Sequence, residues 1–352
     1  MSTRKTEDMT DLTPFERDIA EQPVALRRLA DAGTPDLGVV RSRTWDRVVL
    51  TGMGSSHFAA VPTWRRLTAL GLSVWTVDTG QLLDNLGLVT DNTLIITTSQ
   101  SGASGEVVEL VERFAAGVAH PALTIGITDD ITSVLAKASD VLLPLHSGPE
   151  ATVSTKSYLN TLGVHRAIVA AFAGEDWTSV TAELRAAADA IEALPRTLDL
   201  TSVAASAAQH PRRRLAYVAR GDEAATAEFA ALITKESSKV PAEGYVGGQF
   251  RHGPMELAGD GLTAILFGLR AEEPDASMRR LADDLVRTGS TVVVVGDDEI
   301  AGAVHVGTSG STPFERLATS AVVAERFAVD LARANGVVPG QFLHGSKITT
   351  AV

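Results

Sequence analysis

The chain has 352 residues, no cysteine, a formal net charge of −12 and 45% hydrophobic residues. That excludes disulfides, thiolate catalysis and Cys-based zinc sites, while the length admits two domains or one large α/β unit. The acidic balance, with Arg212-Arg213-Arg214 as the one tight basic cluster, argues against a nucleic-acid partner. The polar start from Met1 to Met9, with no apolar run of spanning length, fits a cytoplasmic protein with no membrane partner.

From Phe15 to Leu29 the apolar residues Ile19, Val24, Leu26 and Leu29 fall near helical spacing behind Pro14, so residues 1–45 read as an N-terminal helical segment. Residues 47–52 form a short buried strand closing on Gly52, with a helix-like stretch through Leu70. Leu72–Val77, Leu94–Thr98, Leu123–Ile127 and Val141–Leu145 are four further strands. Strands interleaved with helices at this density predict a doubly wound parallel sheet over residues 46–195. The stretch from about 154 to 195 is an alanine-rich helical bridge.

The alternation resumes over 196–340. Leu215–Gly221 is a strand, followed by a long helix from about Glu223 to Lys239. Thr263–Phe267 and Thr291–Val295 are strands separated by a helix near Met278–Thr288, and a last helix runs from about Glu315 to Asn335. Both Val48–Gly52 and Ala216–Gly221 are strands that close on a glycine before a helix, which predicts a tandem pair of α/β domains. Residues 341–352 form an extended tail. In such sheets ligands settle beyond the carboxyl ends of the strands, so the loops there carry the chemistry.

The most informative of these loops is Ser99-Gln100-Ser101-Gly102-Ala103-Ser104, after the apolar run Leu94-Ile95-Ile96. Hydroxyls and backbone N–H groups at a helix start suit an anion. Without G-x-G-x-x-G, phosphate fits better than a dinucleotide. The plainer alternative is a connection in which Ser104 is an N-cap. A second cluster pairs Glu236 with His252, sixteen positions on, across Gly244, Gly247 and Gly248. A helix and a glycine-rich return can bring both to one cleft as proton-transfer groups. The alternative is a surface glutamate and a histidine capping the turn before Pro254. The third cluster is Lys347 in Gly345-Ser346-Lys347-Ile348-Thr349, either a solvated terminal charge or a docked, partly desolvated imine-forming amine. The eight histidines lack metal-ligand spacing, so neither metal nor cofactor is expected.

Taken in order, these clusters resemble the tandem sugar-isomerase (SIS) family, and within it the isomerase half of glucosamine-6-phosphate synthase and its stand-alone relatives. Gly52-Met53-Gly54-Ser55-Ser56-His57 resembles the family's first sugar-binding loop, G-x-G-T/S-S. Ser99–Ser104 resembles its phosphate loop. Val153-Ser154-Thr155-Lys156 resembles the turn whose backbone and serine contact the sugar, and Glu21-Gln22-Pro23 its N-terminal element.

The resemblance implies two five-stranded SIS domains and a homodimer in which His252 crosses the interface. It also implies Glu236 as the enolisation base, His252 as the ring-opening group and Lys347 as the Schiff-base lysine. The substrate contacts would come from Gly54, Ser55, Ser56, Ser99, Gln100, Ser101, Ser104, Val153 and Ser154.

Three departures stand out. The sequence holds no glutaminase domain, which implies release of ammonia or an amine. Ile233 replaces a family lysine one turn before the base, removing a cation, and Glu150–Lys156 is one residue short. The expected activity is an aminosugar 6-phosphate deaminase or isomerase. The alternatives are a fructosamine-6-phosphate deglycase and a phosphosugar sensor without turnover. A charged pocket near residues 233–245 separates the deglycase from the deaminase.

Overall fold

The computed structural model describes residues 12–33, 35–195, 198, 200–270, 276–308 and 310–350. The polar stretch Met1 to Met9 therefore lies outside the described residues.

Helix α1 (Pro14–Asp31) starts at a reciprocal cap. The Thr13 hydroxyl accepts the Glu16 N–H at 3.3 Å, and the Glu16 carboxylate accepts the Thr13 N–H at 3.0 Å. Ile19, Gln22, Leu26 and Leu29 form its buried stripe, whereas Val24 is 54% exposed. Five positions from Ile19 rotates Val24 off the face that the i+3 and i+7 residues share.

The first sheet takes β1 (Arg47–Gly52), β2 (Val74–Asp78), β3 (Thr93–Thr98), β4 (Leu123–Thr128) and β5 (Val141–Pro144) in the order β2-β1-β3-β4-β5, all parallel. The six residues of the central β3 are all buried, which is why it reads as an unbroken apolar and hydroxyl run. The stretch after Gly52 is two helices, α2 (Ser55–Phe58) and α3 (Val61–Ala69), with Pro62 in the first turn of the second. Helices α4 (Thr79–Asp84), α5 (Gly105–Ala115) and α6 (Val134–Ala138) complete the crossovers.

The bridge consists of α7 (Lys156–Ala173), α8 (Trp177–Ala193) and α9 (Thr201–Gln209). The second half holds β6 (Arg214–Ala219), α10 (Ala224–Ser238), β7 (Glu243–Val246), β8 (Leu262–Leu269), α11 (Ser277–Arg287), β9 (Thr291–Gly296), β10 (Val304–Gly307) and α12 (Pro313–Ala334). Its sheet runs β10-β9-β8-β6-β7, again all parallel. Numbered within its own half, each sheet has the order 2-1-3-4-5, so the expected tandem pair of five-stranded α/β sheets is present.

The sequence pattern misses β7 and β10, the two edges of the second sheet. Both have four residues and are largely solvent-facing, so neither presents an apolar run. One continuous core joins the halves through α1, α7, α8, α10 and α12. Tyr158 of α7 stacks on Phe229 of α10 with ring centroids 3.7 Å apart. Among the described residues, no helix is long and apolar enough to cross a membrane.

Candidate active site

A cavity of about 520 Å³ opens beyond the carboxyl ends of β1 and β3. Its walls are the turn after β1, the loop after β3, the turn before α7, the last turns of α10 and the C-terminal tail. It is therefore built from both halves of the chain, and α10 is the second half's contribution.

The loop after β3 is held in a single shape. The Gly102 N–H donates to Ser99 Oγ at 3.1 Å and the Ala103 N–H to Ser101 Oγ at 3.2 Å. Gly102 has φ +61°, and a Cβ there would overlap the Ser133 side chain that caps α6, so the turn requires glycine. Ser104 is the N-cap residue of α5 by position, but its hydroxyl makes no cap bond; it lies 3.2 Å from Ser99 Oγ, facing the cavity. Ser99, Gln100, Ser101 and Ser104 all line the cavity, as do Gly54, Ser55, Ser56 and Ser154. Ser55 Oγ donates to Ser154 Oγ at 3.1 Å, tying the first loop to the turn before α7. Val153 behaves differently: its side chain is wholly buried in the core and does not reach the cavity.

Glu236 lies in the last turn of α10 with its carboxyl in the cavity. Burial pushes that carboxyl up to about 7, against the opposing pull of the positive charges on Lys347, Lys239 and Lys235. A carboxyl so placed exchanges a proton near neutral pH. Lys347 enters the same cavity from the tail, 25% exposed, with Nζ 2.7 Å from Glu150 Oε2. Burial pushes the Glu150 carboxyl up, but the charge and hydrogen bond of Lys347 and the bonds from Ser157 outweigh it. Glu150 is therefore held below the usual carboxylate range.

Ile233 is fully buried in the core and does not line the cavity, so it leaves no gap in the site's charge. Besides Lys347, the cavity holds Lys235 and Lys239 on either side of Glu236. Lys239 ends α10 in a left-handed conformation, φ +60°. Its Nζ donates to the carbonyls of Glu236 and Gln341, the latter at 2.6 Å. It also lies 5.7 Å from the centre of the Phe342 ring. The tail is fastened further by Thr152 Oγ1 donating to Gly340 O and by the Gly105 N–H donating to Thr349 O at 3.0 Å.

His252 is not brought to this cavity within one chain. It is exposed, after edge strand β7 and just before Gly253, whose φ is +118°. The glycine-rich return thus carries the imidazole away from its own Glu236.

Glu150, Lys235 and Lys239 escape a reading by motif. Glu150 lies three positions before Val153, the start of the Val-Ser-Thr-Lys turn, and nothing local links it to Lys347. Lys156 of that turn is structural: Nζ lies 2.9 Å from Asp18 Oδ1 and 2.6 Å from Glu21 Oε2 on α1. The neighbouring Gln22 donates to Glu325 Oε1 at 2.8 Å. Glu21-Gln22-Pro23 therefore clamps the helices behind the site and supplies no chemistry.

Among curated proteins, the chain is 26% identical over 299 residues to the glutamine–fructose-6-phosphate aminotransferase (isomerizing) of Thermococcus kodakarensis, covering 80% of this chain and 48% of that protein. The Streptococcus pyogenes enzyme of the same name is 27% identical over 318 residues, with 82% and 51% covered. The chain thus spans about half the length of these relatives.

Among solved structures, the C-terminal domain of glucosamine-fructose-6-phosphate aminotransferase from Francisella tularensis superposes with a TM-score of 0.81 at 17% identity, over 93% of this chain and 98% of that one. Glucosamine-6-phosphate deaminase from Thermotoga maritima gives 0.74 at 20%, over 96% and 99%. Tagatose-6-phosphate ketose/aldose isomerase from Escherichia coli gives 0.75 at 21%, over 93% and 94%. At these identities the superpositions establish the fold. The SIS domain model matches residues 43–171 and 210–299, one stretch on each sheet, and the chain belongs to the SIS domain family.

Proposed function

We propose that the chain is a phosphosugar isomerase of deaminase type, converting an aminosugar 6-phosphate of glucosamine type into a ketose 6-phosphate and ammonia. The observation that carries this reading is Glu236: a carboxyl poised near pH 7, in one cavity with a serine-lined anion loop and a lysine ammonium. The names borne by the Thermotoga and Escherichia coli structures fit the same chemistry.

In this mechanism the loop Ser99–Ser104 takes the 6-phosphate through hydroxyls and N–H groups. Ser55, Ser56 and Ser154 face the sugar hydroxyls. Once the ring is open, Glu236 removes the C2 proton of the 2-amino aldehyde and returns a proton to C1. The C1 oxygen takes up the proton that the nitrogen gives up, and the product of that transfer is a ketimine bearing a C1 hydroxyl. Water adds to its C2 and ammonia leaves, giving the ketose. The electron pair passes through the C1 oxygen during enolisation, where the ammonium of Lys347, held by Glu150, stabilises the negative charge. His252 assists ring opening from the partner subunit of a homodimer. Its exposure and its distance from its own cavity support that assignment.

A second reading, a fructosamine-6-phosphate deglycase, draws support from Lys235. This lysine is exposed, lines the cavity and sits where a substrate carboxylate beyond the amine would find a cation. The deciding experiment is ammonia release from glucosamine 6-phosphate by the native chain and by Glu236→Gln. Release by the first and none by the second is expected. Release by both removes Glu236 from the mechanism; release by neither, with substrate still bound, removes the deaminase.

A further inference from the structure

The second sheet opens a cavity of its own, about 480 Å³, beyond the carboxyl ends of β8, β9 and β10. Like the first cavity it lies at the carboxyl end of its sheet and takes in the loop after that sheet's third strand, here β8. None of the residues assigned to the reaction lines it.

Two guanidiniums face this space: Arg270, directly after β8, and Arg316, in the first turns of α12. Among the described residues neither forms a salt bridge. Arg316 Nη1 donates to Gly310 O at 2.9 Å, while its Nε is buried with no hydrogen-bond partner. Burial and the like charge of Arg270 both lower the pKa of Arg316, so the pair is under mutual repulsion that an anion between them would relieve.

The carboxylates that act on Arg316 in the opposite sense are Glu223 in the wall, Glu315 beside it in α12 and Asp297 at the end of β9. The Glu315 oxygens accept the N–H and hydroxyl of Ser311. Glu223 is 6% exposed and accepts from Thr226 Oγ1 at 2.8 Å and from Ser320 Oγ at 3.2 Å. Burial pushes it up to about 7, so at neutral pH it offsets only part of the arginine charge.

The backbone around the cavity is shaped for it. The β8–β9 register shifts between Phe267 and Leu269, a bulge at Gly268 with φ +74°, where a Cβ would come within 2.8 Å of Glu223 Cγ. Bulges of this kind re-aim side chains beside ligand sites. Gly296, with φ +148°, lies against the backbone of Leu269, and its carbonyl contacts His305 Nε2 at 2.9 Å. Both strand ends are thus built from residues that only glycine accommodates.

We propose that this cavity is a second small-molecule site, which takes a phosphate monoester between Arg270 and Arg316. Planar guanidinium forks match phosphate oxygens with two parallel hydrogen bonds each, and the volume is that of a small-metabolite pocket. The proposal stands apart from the deaminase reading, because it uses none of the same residues.

The test is a calorimetric titration of the full chain with inorganic phosphate, then with fructose 6-phosphate, alongside phosphorus NMR. Two equivalents per chain are expected. Replacing both Ser99 and Ser101 by alanine removes one. Arg270→Gln weakens the other by about tenfold or more, as expected for a lost charged hydrogen bond, and leaves the serine-loop site unchanged. Arg316→Lys keeps the charge but loses the fork, and gives a smaller loss without opening the Gly310 contact region to a neutral residue. A single equivalent that vanishes with the serine variants overturns the proposal. So does a second equivalent indifferent to both arginine changes.

Discussion

Lys347 and Glu150, 197 positions apart, meet at 2.7 Å, and that contact joins the tail to the turn before α7. The Glu150 side chain is wholly buried. Its oxygens also accept the N–H and hydroxyl of Thr155, both at 2.9 Å, and those of Ser157 at 2.9 and 2.6 Å. One carboxylate therefore sets the turn carrying Ser154 and anchors the lysine opposite it. The contact makes the candidate active-site cavity depend on a tail that has no helix or strand of its own.

We predict that Glu150→Gln unmakes both. The amide presents two donors where every neighbour is also a donor, and Lys347 loses its counter-charge. The expected cost is about 2–4 kcal/mol, the scale for breaking a buried charged network, with turnover reduced at least about a hundredfold. Chemical denaturation and limited proteolysis of residues 341–350 measure the two effects. The pH sign follows from the direction of the shift. The Glu150 carboxyl is depressed when folded, so its contribution is present above the ordinary carboxylate pKa and disappears as pH falls through the folded value. A variant with unchanged acid stability and an undisturbed tail contradicts this role.

Glu236 has the opposite sign. Its carboxyl is raised from 4.5 to about 7, so the reactive carboxylate form accumulates as pH rises through 7, and kcat/KM climbs with it. The same shift costs stability: the folded chain holds a proton that the unfolded chain releases between 4.5 and 7, so stability declines over that window. Glu236→Gln should then be inactive yet more stable at pH 8, by about 1–2 kcal/mol after allowance for solvent around a partly exposed carboxyl. A pH–rate profile and paired melting curves at pH 5 and 8 decide it. If the variant is less stable at pH 8 than the native chain, Glu236 is a structural group.

Much of this arrangement is legible in the sequence where chemistry is local. The anion loop follows β3 directly, so strand, turn and hydroxyls occupy one stretch, and Ser99, Gln100, Ser101 and Ser104 all line the cavity. The central strands are equally plain because they are buried on both faces. What fails to show is long-range pairing and edge placement. Nothing near Glu150 announces Lys347, and Val153 joins its motif by backbone alone while its side chain packs in the core. Ile233 looks like a missing cation only while its helix face is unknown. The three-residue step to Glu236 does not keep it at the cavity, since Ile233 points into the α10 core face. β7 and β10 are short, exposed edges, and so they lack the period or apolar run that marks a strand.

The anion loop itself can be tested through Gly102. Alanine there would need φ near +61° and would overlap the Ser133 side chain, so either the loop or α6 must shift. We expect Gly102→Ala to lose about 1–3 kcal/mol and to raise KM for the sugar phosphate by at least about tenfold, with a smaller change in kcat. Ser101→Ala, which removes the bond from the Ala103 N–H but leaves the Gly102 backbone unstrained, should raise KM less. Equal KM values for native and Gly102→Ala chains, measured with the variant folded, would detach phosphate binding from this loop.

Lys235 separates the two candidate substrates. A deglycase substrate carries a carboxylate on its amine, whereas glucosamine 6-phosphate offers no charge beyond the amine itself. Removing an ammonium that meets that carboxylate should lower kcat/KM for a fructosamine 6-phosphate by about tenfold or more, and leave glucosamine 6-phosphate within about twofold. Lys235→Ala is to be measured at pH 8.5, because losing this charge also raises Glu236 further, and the carboxylate must be fully formed in both chains. A parallel fall on both substrates would mean that Lys235 acts through Glu236 and reads no substrate carboxylate.

The exposed His252 leads to a complementation experiment. If each cavity takes its histidine from the partner subunit, His252→Ala and Glu236→Gln homodimers are both inactive, each for want of one group per site. Mixed by co-refolding, half the dimers carry one chain of each kind. In those, one site has both groups intact and the other has neither. Activity should return to about a quarter of the native value, the share of intact sites in an isologous dimer. A chain that uses its own histidine gives no recovery on mixing, because every intact Glu236 then sits beside a missing His252. Recovery with the concentration dependence of a dimer assigns the imidazole to the partner's cavity, while its absence returns His252 to the surface role its exposure alone would give it.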